Sequence, residues 1–262
     1  ANEYFFLANV VPVSSSVSID AGAGSITLTE NTTKAVVVTA TVTDDNGYAD
    51  ITSVTAKLFK TSTGAGADDN PLNHYTKTGD ANCVPSAGSG LTETYTCTFA
   101  VQYYADAGEW SAEVTPSDAD GAGTAGTNDT ITIDTLAALN VTTAIAYGGL
   151  ALGATTGDTT AFDTTVTNTG NQATIGAQVN SGAETAMTCD TGTIPVGNEK
   201  YDATSTTAYA SKTALTASPV TATGVSAAKG ATGNTDTLGW GLQMPASGVD
   251  GACAGTVVFT AI

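Results

Sequence analysis

The chain contains no arginine and a single histidine, and only 12% of its 262 residues are charged, about half the share usual in globular proteins. Without arginine there is no planar fork to grip phosphate or carboxylate at two points. Seven lysines face 25 acidic residues, for a formal charge of −18. A nucleic-acid binder needs the opposite, a basic surface that displaces counterions from phosphates. Anionic membranes repel such a chain, and no run of 18 apolar residues is present to span a bilayer. Chemistry is equally restricted. One histidine gives neither an HExxH pair nor an imidazole cluster for zinc. GxSxG, a P-loop and a GxGxxG opening a helix are all missing. His74 lies in the turn-rich stretch Asn70-Pro71-Leu72-Asn73-His74 and reads as an ordinary loop residue. The expectation is a protein that is not an enzyme.

What the chain has is small residues. Its 29 glycines and abundant Ala, Ser and Thr hold the mass to 25.9 kDa, and aromatics make up 6%. A core can form, but from small pieces, and this length predicts two domains. The sequence starts at Ala1 rather than Met, as a secreted protein does once its signal peptide is removed. Four cysteines, Cys83, Cys97, Cys189 and Cys253, form no CxxC spacing, so redox and zinc motifs are absent. Of three possible pairings, Cys83–Cys97 with Cys189–Cys253 keeps each bridge within one half of the chain. Low charge, neutral polar residues and an even cysteine count together predict an extracellular protein.

Residues 17–135 alternate apolar and polar in many short runs. Val36, Val38, Ala40 and Val42 share one strand face, as do Val54, Ala56 and Leu58. The same holds for Tyr95, Cys97, Phe99 and Val101, for Trp110, Ala112 and Val114, and for Ile131 and Ile133. Period-two alternation in β-branched sequence predicts half-buried strands. Turn sequences such as Asp44-Asp45-Asn46-Gly47 and Asp118-Ala119-Asp120-Gly121 separate them. About seven strands at this spacing read as an antiparallel sandwich. The phrases from Val38 to Gly47 and from Gly108 to Val114, followed by Asp118-Ala119-Asp120-Gly121, resemble immunoglobulin-like modules of prokaryotic surface proteins. Tyr95-Thr96-Cys97 resembles the tyrosine that precedes a cysteine in true immunoglobulin domains, but Cys83 lies only 14 residues upstream and Trp110 follows both cysteines. The bridge therefore reads as pinning a loop to a strand.

Residues 136–262 are poorer in large apolar side chains. Strands are predicted over 141–147, 161–168, 174–179, 237–244 and 255–262. The last is apolar on both faces and reads as central or covered. Between 203 and 234 the low-complexity Thr, Ala, Ser and Gly predict irregular loops or weak strands. Gly149-Leu150-Ala151-Leu152-Gly153, Thr165-Val166-Thr167-Asn168-Thr169-Gly170-Asn171 and Gly255-Thr256-Val257-Val258-Phe259-Thr260 make this half similar to secreted matrix-fibre proteins of the TasA and camelysin group and to archaeal bundling pili. That resemblance implies a jelly-roll-like sandwich that polymerises when the N-terminal strand of one subunit completes the sheet of the next. The predicted architecture is all-β: an N-terminal apolar strand over 1–13, an immunoglobulin-like sandwich over 14–136 and a jelly-roll-like sandwich over 137–262.

The N-terminal strand is apolar on both faces. Tyr4, Phe6, Ala8 and Val10 point one way, and Phe5, Leu7, Val11 and Val13 the other. Burying each large side chain is worth roughly 1.5–3 kcal/mol, so the segment is expected to be covered on both sides. It is either the first strand of its own domain or a strand donated to another copy of the chain. Ser14-Ser15-Ser16 reads as a hinge serving either outcome. A structural subunit of an extracellular filament or surface layer, with copies of itself as partners, is the functional expectation; a carbohydrate-binding or adhesin module without polymerisation is the alternative. The latter needs exposed aromatics, and alternation leaves only Tyr104 outward in the Tyr103, Tyr104 and Trp110 cluster.

Two surface features complete the reading. Asp44, Asp45, Asp50, Asp118 and Asp120 crowd turns and offer hard oxygens to Ca²⁺, although none fits the 12-residue helix-loop-helix pattern. Sequons at Asn31, Asn128 and Asn140 provide glycan acceptors on a surface with few charges to solvate it. Glycosylation predicts an intact mass of the native protein well above 25.9 kDa; a mass equal to the bare chain, read by mass spectrometry, removes it.

Overall fold

The computed structural model describes residues 8–127, 129–142, 144–156 and 162–262, and it divides into two compact units between Leu136 and Ala137. The longest helical element among the described residues is a three-residue 3-10 turn. Both units are all-β, and nearly every strand pair is antiparallel.

The first unit begins with β1 (Val13–Ile19), β2 (Ser25–Ile26), β3 (Thr33–Thr43), β4 (Ser53–Lys60) and β5 (His74–Thr78). It continues through β6 (Cys83–Pro85), β7 (Thr92–Gln102), β8 (Gly108–Asp118), β9 (Gly121–Ala122) and β10 (Thr130–Ile133). One sheet has the order β1-β3-β7-β6; the other runs β2-β10-β8-β4-β5, with β9 on β8. The residues predicted to face inward do so. Val36, Val38 and Phe99 from one sheet meet Leu58, Trp110 and Val114 from the other in a single core. The spine of that sandwich is β3 against β7, in unbroken register from Thr33 opposite Gln102 to Thr43 opposite Thr92. Outward positions pair Thr39 with Thr96 and Thr41 with Thr94, so β-branched residues supply cross-strand contacts on the wet face as well.

Ser14–Ser16 do not form a hinge. They lie inside β1, which pairs with β3 and carries a register shift between Ser15 and Ser18, with Ser16 at φ 50°. Small hydroxylated residues tolerate a bulge that bends the strand without losing its neighbour.

The second unit contains β11 (Leu139–Val141), β12 (Asp163–Asn168), β13 (Thr174–Ile175), β14 (Ala177–Asn180), β15 (Ala186–Thr191) and β16 (Thr193–Pro195). After them come β17 (Glu199–Asp202), β18 (Thr213–Ala214), β19 (Val220–Thr221), β20 (Ala227–Ala228), β21 (Thr235–Leu242), β22 (Asp250–Ala254) and β23 (Val258–Ala261). The main sheet has the order β11-β12-β21-β17-β18; smaller sheets are β19-β14-β23, β16-β15-β22 and β13-β20. The low-complexity stretch forms two-residue strands and one 3-10 turn. Two expectations fail. The predicted 141–147 strand stops at Val141, because Ile145 and Tyr147 pack sideways onto the core instead of alternating across a ladder. The closing strand is not central: among the described residues β23 pairs with β14 alone, its Val257 and Phe259 face packs on the core, and Val258 and Ile262 are exposed.

Both disulfides join residues directly opposite each other on neighbouring strands, Cys83–Cys97 across β6 and β7 and Cys189–Cys253 across β15 and β22. Each ties strands within one sheet, not one sheet to another.

With a smaller apolar core around Leu238 and Trp240, the second unit buries polar groups that satisfy one another. Trp240 Nε1 donates to Thr164 Oγ1 at 2.9 Å. Asn168, fully buried, donates to the Gln172 and Ala227 carbonyls and accepts from Gly170 N. Its main-chain carbonyl accepts from Asn234 Nδ2. Stranding buried partners costs about 1–3 kcal/mol each. Asn168→Ala is therefore expected to destabilise the protein by about 2–4 kcal/mol. The exposed Asn140→Ala, in the same sheet, should cost under about 0.5 kcal/mol; denaturant midpoints compare the two.

Candidate functional site

Of the residues expected in the polymerisation strand, Tyr4, Phe5, Phe6 and Leu7 lie outside the described residues. Val10, Val11 and Val13 are exposed, at 46%, 39% and 44%. The described part of the segment is therefore not covered on both faces within its own unit. Its polar atoms are nonetheless held. Val10 N donates to Asn46 Oδ1 at 2.7 Å and Asn9 Nδ2 to Asp118 Oδ2 at 3.0 Å. Pro12 O accepts from Thr124 N, and Ser14 N donates back to Thr124 O. Main-chain and side-chain bonds root the segment and Pro12 is buried, while Val10, Val11 and Val13 face outward.

The acidic turns separate into two groups. Asp44 at the end of β3, Asp50 in a 3-10 turn and Asp118 at the end of β8 converge, each placing a carboxylate oxygen within 4.8 Å of the others. Asp45 and Asp120 are exposed and stand outside the cluster. Asn31 and Asn140 are exposed, whereas Asn128 lies outside the described residues.

Two further expectations are corrected. His74 is no loop residue: it opens β5, is 1% exposed and stacks on Phe59 with centroids 6.0 Å apart. Its Nδ1 meets Asp69 Oδ1 at 2.9 Å and its Nε2 meets Ala65 O at 3.3 Å, which describes a satisfied core imidazole. Tyr104 is not outward either. Beyond the end of β7 the alternation lapses, and Tyr103 and Tyr104 are both buried and meet edge to face at 4.9 Å. The Tyr103, Tyr104 and Trp110 cluster is thus closed to a sugar.

The feature that sequence reasoning missed is a cavity of about 830 Å³ in the second unit. Its walls come from Val141 at the end of β11, Ile145 and Tyr147 beyond it, Cys253 of β22, and Val257 and Phe259 at β23. Strands β11, β22 and β23 each end their sheets among the described residues. Three sheet-edge strands therefore border one hollow lined largely by apolar side chains.

Among the described residues, Glu199 is the one acid in that lining. It opens β17, is 3% exposed, and accepts from the Tyr147 hydroxyl at 2.8 Å. Burial pushes its carboxyl up to about 7, against the opposing pull of the Tyr147 hydrogen bond. Tyr147 is itself raised, by burial first and then by the neighbouring Glu199 charge. A protonatable carboxyl hydrogen-bonded to a phenol can hold a polar group. Nothing marks Glu199 in the sequence, where it sits among Gly, Asn and Lys; Tyr147, an aromatic closing the run Ala144-Ile145-Ala146-Tyr147, is the only hint.

No family model matches the chain, and no curated protein matches it. Solved structures similar to it include the C-terminal domain of the antigen I/II polypeptide BspA from Streptococcus agalactiae, at 11% identity over 95% of each chain with a TM-score of 0.29. The C-terminal domain of the antigen I/II-family protein AspA from Streptococcus pyogenes has 9% identity over 96% of this chain and 100% of its own, with a TM-score of 0.30. A Niemann-Pick type C2 protein from the Japanese carpenter ant covers 48% of this chain and 96% of its own at 17% identity and a TM-score of 0.30. Similarity this distant assigns neither a family nor a ligand.

Because the Glu199 carboxyl rises from its ordinary 4.5 to about 7 in the fold, the folded chain holds a proton that the unfolded chain releases between those values. Stability contributed by this group is then complete below about pH 4.5 and lost as pH rises to about 7, by about 3 kcal/mol in all. Glu199→Gln keeps a hydrogen-bonding partner for Tyr147 and should flatten that fall. Chemical denaturation at pH 5 and pH 8 checks it; equal pH dependence in both chains refutes the assignment.

Proposed function

We propose that this protein is a structural subunit of an extracellular filament or surface layer, in which the N-terminal segment of one copy enters the second unit of the next. The observation that carries this reading is the apolar cavity bordered by the open edges of β11, β22 and β23. An entering strand would use those main-chain groups and set alternate side chains into the hollow, gaining directional bonds and apolar burial together. The segment from Tyr4 to Val13 is the complementary object by composition, apolar on both faces. The exposure of Val10, Val11 and Val13 is consistent with a surface awaiting cover. Glu199 and Tyr147 offer the incoming backbone one buried polar contact.

The setting agrees with that role. Two disulfides suit an oxidising compartment. A surface with few charges suits subunits packed side by side, and glycans at the exposed Asn31 and Asn140 would keep it solvated. Such a polymer resists dissociation, since unbinding exposes a sheet edge and the whole apolar segment at once.

Deleting residues 1–13 should yield monomers by electron microscopy and light scattering, while the second unit keeps its fold. A synthetic peptide of residues 1–13 should then bind the truncated chain one to one. Phe259→Asp, which charges the cavity wall, should abolish that binding. Filaments assembled from truncated subunits overturn the proposal.

A further inference from the structure

We infer that Asp44, Asp50 and Asp118 form a Ca²⁺ site at the root of the N-terminal segment. Two places far apart in sequence bring the carboxylates together: the β3–β4 connection, which carries Asp44 and the 3-10 turn Tyr48–Asp50, and the end of β8, which carries Asp118. Asp44 is 1% exposed and Asp118 6%. No lysine pairs with them; the ion pairs among the described residues involve Lys57, Lys60 and His74 elsewhere. Three carboxylates that close, two of them withdrawn from water, concentrate negative charge where a cation would be held.

The independent observation is an orphaned oxygen. Asp44 Oδ1 accepts from Asn46 N at 2.8 Å, but Asp44 Oδ2 is buried without a hydrogen-bond partner. Buried carboxylate oxygens are rarely left bare, because the lost solvation is not returned. The three ligand oxygens lie no more than 4.8 Å apart. Oxygens bound to one Ca²⁺ ion at 2.3–2.6 Å are separated by roughly 5.2 Å at most, so the three can share one ion. All-oxygen carboxylate donors in flexible turns suit Ca²⁺, which tolerates irregular geometry better than Mg²⁺.

The site also reaches the N-terminal segment. Asn46, whose amide N binds Asp44, accepts Val10 N on its side chain, and Asp118 accepts from Asn9. A bound ion would therefore fix the two turns that hold residues 9 and 10, and with them the direction in which the preceding residues leave the unit. This consequence for assembly rests on the donated-strand reading; the cation site itself does not.

The test is calorimetric titration of Ca²⁺ into the full chain stripped with EGTA and dialysed. One ion per chain is expected, with a Kd on the order of 0.1–1 mM as in other extracellular sites. At ten times that Kd the melting temperature of the first unit should rise by about 5 °C. Asp50→Asn, at the half-buried corner where the fold depends on it least, should weaken binding at least tenfold, and Mg²⁺ should give a smaller shift. Absence of heat and of a melting shift overturns the site, as does an equal response in Asp50→Asn or in NaCl of matched ionic strength. Filament formation scored in the same samples separates the two readings: filaments without Ca²⁺ binding remove the ion and leave strand donation standing, and Ca²⁺ binding without filaments does the reverse.

Discussion

A sheet stops where its outermost strand keeps main-chain donors and acceptors unmatched, and each open border must be met by water, by a covering element or by another chain. In the first unit, the long β3–β7 ladder and the apposed β4–β8 pair concentrate pairing at the centre. In the second unit the described strands form one five-stranded sheet and three smaller ones, and three of these sheets present edges to one hollow. Small side chains explain the difference. Thr, Ala and Gly bury little area per residue, so short strands cannot assemble one continuous interior. Polar residues such as Asn168 and Thr164 complete it with bonds that demand fixed geometry.

That contrast also decides how much of the molecule could be read from its sequence. In β3, β7 and β8, Val, Phe and Trp alternate with Thr, and the inward set was fully legible, down to Ala40 and Ala112. Period two is a strong signal when one face meets a core and the other meets water. It lapsed at Tyr103-Tyr104, where the strand had ended and both rings turned in. In the second unit β15 and β17 escaped notice, because Met187 and Cys189, or Glu199 and Tyr201, alternate with too little hydrophobic contrast. Residues 255–262 misled in the opposite sense. Apolar side chains on both faces read as double burial, yet one face borders the cavity and the other stands in solvent.

The candidate sites were legible in proportion to how local they are. Asp44, Asp50 and Asp118 could be named because aspartate in turns is conspicuous, but their convergence is a property of the topology that brings the ends of β3 and β8 together. Glu199 and Tyr147 are 52 residues apart and share no motif; their pairing depends on the chain after β11 leaving its ladder. A histidine in a run of turn residues gave no sign that it would be buried beneath Phe59.

The placement of the two sulfur bridges bears on how the chain responds to being pulled from its ends. Each bridge short-circuits the contour, one across 14 residues and the other across 64. At about 3.4 Å per residue, roughly 265 Å of polypeptide is thereby withheld from any stretched state. Tension entering the second unit passes from Cys189 to Cys253 through sulfur, so β17 and β21, with the weakly paired Thr- and Ala-rich stretch between them, stay slack within the closed loop.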